Sequence, residues 1–139
     1  MPEFRFKYED DDLVPNGSQE LDQRDEITTR IEDWIASSKN YLAITYAGDE
    51  TYQGPSITVS RRPDYGGSYV WICTKSRSAY AIEEGHGDET EETEEGIVPR
   101  KYFLSDTNAQ AILIDFIDRL DFTPSFHWDL ADVVATHWW

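Results

Sequence analysis

The sequence predicts an α+β protein: a single domain spanning residues 1–139, with an antiparallel meander of four to six strands and two main helices packed on one face. Three observations carry this prediction. Short β-branched and aromatic runs succeed one another between Tyr41 and Ile82, with connections too short for crossover helices. Two longer segments, Asp22–Ser37 and Asp106–Leu120, carry apolar residues at helical spacing. Finally, 39% of the 139 residues are hydrophobic and 14% aromatic, with five tryptophans, which supplies a core that a chain of this length can close.

Glu3–Tyr8 alternates polar and aromatic residues, the period of a half-buried strand. Glu9–Gly17 reads as a loop with Pro15-Asn16-Gly17 as its turn. Asp22 is placed to cap a helix whose first turn holds Asp25 and Glu26, where acids suit the helix dipole. Ile27, Ile31, Trp34 and Ile35 share one face of it, and Ser37–Asn40 ends it. Tyr41–Ala47, Ser56–Ser60, Tyr69–Cys73 and Ser78–Ile82 read as strands, joined at Gly48–Glu50, Pro63–Gly67 and Lys75–Arg77. Gly85–Gly96 has no apolar residue and reads as an acidic loop. Ile97-Val98-Pro99 resumes the structure, and Arg100–Leu104 leads into a second helix capped by Ser105 or Asp106. Its buried stripe is Ala109, Ile112, Leu113, Phe116, Ile117 and Leu120. After Pro124 comes a short extended segment, Ser125–Trp128; Leu130, Val133, Val134 and Trp138 then outline a terminal helical turn or two.

Charge narrows the function. With 12 Lys and Arg against 28 Asp and Glu, the formal net charge is -16. Wrapping nucleic acid through phosphate contacts needs clustered cations, and anionic lipid repels such a surface. No apolar run reaches the roughly 18–20 residues of a membrane helix. Met1–Arg5 does not open like a secretory signal, and a lone Cys73 fits a reducing compartment, so a cytoplasmic protein is expected. The acids are also clustered. Residues 1–26 hold nine acids and three bases, residues 83–95 hold eight acids and no Lys or Arg, while Ser56–Arg77 holds four bases and one acid. Salt adaptation would spread acids over the whole surface, so clustering favours a cationic partner over that alternative.

No local motif for catalysis is present. His86, His127 and His137 form no metal-ligand spacing with one another or with Cys73, and the phosphate-loop, nucleophile-elbow and dinucleotide signatures are absent. The reading is a non-catalytic protein with no cofactor and no metal.

The candidate partner-binding residues are therefore the carboxylates Glu83, Glu84, Asp88, Glu89, Glu91, Glu92, Glu94 and Glu95, with Trp71 and Tyr80 as buried anchors. Three readings of the acidic segment stand side by side: a solvated hairpin tip, an electrostatic footprint for a basic partner, and a calcium loop. The spacing does not match a D-x-[DN]-x-[DN]-G calcium loop. Tyr65, Tyr69 and Tyr102 belong to the same aromatic group, and serve sheet packing or an interface. Trp128 reads as a core anchor, and the Trp138-Trp139 end as tucked in or at a dimer contact.

The order of elements, with Val98-Pro99, the Ala111–Phe116 helix, and Pro124 followed by Trp128, resembles the immunity proteins of bacterial polymorphic toxin systems. The likeness runs from Tyr41 to Trp128 and is to the family often encoded beside nucleic-acid deaminase toxins. It implies an inhibitor that folds alone, covers the active site of a cognate basic toxin and needs no cofactor. Two other classes stay open: a DNA mimic whose carboxylates imitate phosphates, and a non-catalytic acidic accessory or scaffold protein.

Overall fold

The computed structural model of the chain describes residues 4–9, 17–21, 24–37, 41–46, 55–62, 66–74, 77–85, 87, 89–93 and 96–130. In order these form β1 (Phe4–Glu9), β2 (Gly17–Leu21), α1 (Arg24–Ala36), β3 (Tyr41–Tyr46), β4 (Ser56–Arg62), β5 (Gly67–Cys73) and β6 (Ser78–Ile82). There follow β7 (Thr90–Thr93), β8 (Gly96–Pro99), a 3-10 turn (Arg100–Tyr102), α2 (Asp106–Arg119) and β9 (His127–Leu130). Among the described residues, seven strands make one antiparallel sheet in the order β2-β1-β3-β4-β5-β6-β9, with β3 to β6 as a meander, and β7 pairs with β8 alone.

Alternation sets the two faces of the large sheet. Register places Leu42 opposite Val59 and Val59 opposite Val70, while Ile44, Ile57, Ile72 and Ala79 form the next row. These side chains are buried, and those from β3, β4 and β5 pack with both helices in one core. α1 contributes Ile27, Ile31 and Trp34; α2 contributes Ala109, Ile112, Leu113, Phe116 and Ile117, the stripe expected from its spacing. Leu120, at the end of that stripe, is half-buried and adopts a left-handed conformation (φ 57°) whose N–H returns to the Phe116 carbonyl at 2.8 Å. At the other end the Ser105 hydroxyl accepts from the Asn108 N–H at 3.2 Å, so Ser105 rather than Asp106 is the cap.

The sheet is wider than the expected four to six strands, for identifiable reasons. Among the described residues β2 lies at one edge of the sheet, paired with β1, and its Gly-Ser-Gln-Glu-Leu sequence carries no period-2 signal of apolar residues. β9 takes Asp129 and Leu130 into a strand against β6, where a terminal helix was expected: Trp128, opposite Ala81, packs on the helix-side core, and the ladder runs on to pair Leu130, itself exposed, with Ala79. The acidic segment is also not entirely loop, since Thr90–Thr93 is a strand. The expected Asp22 cap, the Pro15-Asn16 and Pro63–Tyr65 turns, Lys39-Asn40, Gly48–Glu50 and residues 131–139, Trp138 and Trp139 included, lie outside the described residues. No helix among the described residues is long and apolar enough to cross a membrane.

Candidate functional site

The residues of β5 that alternate with Val70 and Ile72 are Tyr69 and Trp71, and they point away from the helices into a second apolar cluster. Trp71 and Tyr80 are cross-strand partners with ring centroids 5.5 Å apart. Chain leaving β8 crosses this face of the sheet. It lays down Val98, Tyr102 and Phe103, at 0%, 0% and 5% exposure, with Phe103 4.9 Å from Tyr69 and Tyr102 6.3 Å from Tyr80 between centroids. Gly67 makes the crossing possible: a Cβ there would stand 2.7 Å from the Phe103 Cβ. Backbone bonds in both directions between Ser68 and Leu104, 2.9 and 2.8 Å, seal it.

Polar groups brace the crossing. The Tyr102 hydroxyl donates to Asp129 Oδ2 at 2.6 Å, and Lys101 Nζ lies 3.4 Å from the same oxygen. Burial, and then the bond to Asp129, push the Tyr102 hydroxyl far above the ordinary tyrosine range. Burial also raises Tyr80, with a smaller contribution from neighbouring Cys73.

Residues 83–101 thus form an arm whose two ends meet. The Glu83 N–H donates to the Lys101 carbonyl at 2.7 Å, and Glu83 Oε2 accepts from the Ser105 N–H at 2.9 Å. Glu84 contacts His127 Nε2 at 2.9 Å, with both side chains largely in solvent. Farther out, Glu91 lies opposite Val98 and Glu92 opposite Ile97. Arg100 donates to Glu91 Oε2 at 2.7 Å and lies 3.9 Å from Glu89. Glu92 is exposed, and Ile97 is 58% exposed.

The site residues expected from sequence therefore separate. Trp71 and Tyr80 come together, half-buried, beneath the arm. Glu83 and Glu84 tie the arm's base to its surroundings, Glu89 and Glu91 gather on Arg100, and Glu92 faces outward. Asp88, Glu94 and Glu95 lie outside the described residues. Sequence reasoning missed Arg100, Lys101 and Asp129 as parts of this site, whereas Tyr102 was grouped with Trp71 and Tyr80 by residue type. Only the β7–β8 register carries the signal for Arg100, by bringing it back beside Glu89 and Glu91. No group of three or more His, Cys, Asp or Glu able to hold a metal ion occurs among the described residues.

The arrangement displays carboxylates from a backbone held by a strand ladder and by an aromatic base. Comparison with family models, with curated proteins and with solved structures finds no match to this chain.

Proposed function

We propose that this protein is a non-catalytic acidic binder of a basic protein, of the immunity type, which neutralises a nucleic-acid-targeting toxin by covering its active site. The observation that carries the reading is the braced acidic hairpin: Glu92 stands exposed on a strand whose neighbour is anchored by fully buried Val98. A carboxylate on a backbone held in a strand ladder costs less ordering on binding than one on a loose tip, and it speeds encounter with a cationic surface. A basic cleft built to hold nucleic acid is the complementary surface. Glu89 and Glu91 are partly neutralised by Arg100, so steering falls to Glu92 and to its sequence neighbours Glu94 and Glu95.

The test starts from the partner co-purified from the native host and identified by mass spectrometry, then produced alone. Replacing Glu92, Glu94 and Glu95 with Gln is expected to slow its association several-fold at low salt, flatten the salt dependence and leave the melting temperature in place. Co-expression of this protein is expected to abolish the partner's toxicity. Unchanged association rates at low salt, or a partner with no toxicity to neutralise, reject the reading.

A further inference from the structure

The β7–β8 hairpin has two faces of different character. Register and burial put Val98 toward the aromatic cluster, and Glu91 shares its cross-strand position. The neighbouring positions, Glu92 with Ile97 and Thr90 with Pro99, make the other face. Ile97 and Leu130 are the large hydrophobic residues exposed among the described residues, and Ile97, at 58%, is the more open. A single exposed aliphatic side chain is ordinary on a protein surface. Ile97 differs in its surroundings: the residue directly opposite, Glu92, is an exposed carboxylate. An acidic partner would be repelled here, and a purely apolar one would strand that charge.

From this we infer that the outer face of the β7–β8 hairpin docks a basic polypeptide segment that presents one apolar side chain between lysines or arginines. The inference rests on the proposed function and names the chemistry of the contact. The apolar residue and the methylene stems of its cationic neighbours cover Ile97 and Pro99, while the cationic heads reach Glu92. Charge complementarity chooses the occupant, and Ile97 supplies the preference that charge alone lacks.

Two fluorescein-labelled peptides serve as probes, both alternating lysine and glycine, one with a central leucine and the other with a central serine. Fluorescence anisotropy at low salt is expected to show the leucine peptide binding about tenfold tighter, as partial burial of one aliphatic side chain provides. Ile97→Ser is expected to erase that difference, and Glu92→Gln to weaken both peptides alike. Ile97→Thr keeps the β-branched backbone preference and is expected to behave as Ile97→Ser does, so a folding defect cannot imitate the result. Equal binding of the two peptides overturns the inference while leaving the electrostatic reading of the arm intact, as does a leucine preference that survives Ile97→Ser. Failure of both peptides to bind also overturns it. Sedimentation showing a dimer that Ile97→Ser dissolves would assign the face to a second copy of the chain instead.

Discussion

The guanidinium carbon of Arg61 lies 4.3 Å from the centroid of the Trp34 ring, so a cation from the middle of the sheet covers an aromatic residue of α1. The same guanidinium donates to the carbonyls of Ser37 at 2.6 Å and Ile35 at 3.1 Å, at the end of that helix, and lies 3.8 Å from Asp106 in the first turn of α2. α1 has no basic residue in its last turn, and Arg61 supplies that charge from another element.

Arg61→Met keeps much of the apolar stem and removes every polar contact. It is expected to cost about 2 kcal/mol in urea unfolding, the range for hydrogen bonds to a charged group. Arg61→Lys is expected to recover less than half, because a point charge cannot both stack on Trp34 and span two carbonyls.

Tyr102 makes stability sensitive to alkali. Its folded-state value lies above the ordinary 10.0, so the folded chain keeps a proton that the unfolded chain has released. The stabilisation is complete below about pH 10 and is lost as pH rises through the folded value. Urea unfolding followed from neutral pH upward is expected to show this decline, and Tyr102→Phe to flatten most of it. A smaller slope remains from Tyr80, which is shifted in the same direction.

Asp115 works at the acid end. Arg119 donates to it at 2.9 and 3.2 Å and Thr123 at 3.0 Å, and the Arg119 bond is the main cause of a carboxyl value below the ordinary 3.8. Its contribution is present above that ordinary value and is lost as pH falls through the folded one. Asp115→Asn is expected to lower stability by about 1 kcal/mol at neutral pH, with partial exposure limiting the effect. The difference from the unsubstituted protein should vanish in strong acid.

Gly67→Ala tests the crossing. The added carbon would stand 2.7 Å from the Phe103 Cβ and 2.9 Å from its carbonyl carbon, and the paired Ser68–Leu104 backbone leaves no room to give. A loss of about 2 kcal/mol is expected from such overpacking. A weakened near-ultraviolet signal from the Tyr69–Phe103 contact should accompany it.

Elements whose side chains obey a period were legible in advance. Leu42 and Ile44, Ile57 and Val59, and the α2 stripe from Ala109 to Ile117 announce their faces through burial alone. β7 was not legible, because Thr-Glu-Glu-Thr carries no apolar signal and owes its pairing to Val98 on the next strand. The site suffered from the same limit. Trp71 and Tyr80 could be singled out by type, whereas Arg61 over Trp34 and Asp129 under Tyr102 join residues from distant parts of the chain. A count of acids likewise overstates the field of the arm, since Arg100 enters only through the hairpin's register.

The hydrogen bond from the Glu83 N–H to the Lys101 carbonyl makes the arm leave and re-enter the scaffold at one point. A segment inserted between adjoining ends can change length at little entropic expense, about 0.6 kcal/mol for each doubling of a flexible loop. The tip beyond Glu91 and Val98 is therefore an exchangeable cassette. Its sequence can be rewritten by grafting while Val98, Tyr102 and Phe103 go on covering the aromatic face of the sheet beneath it.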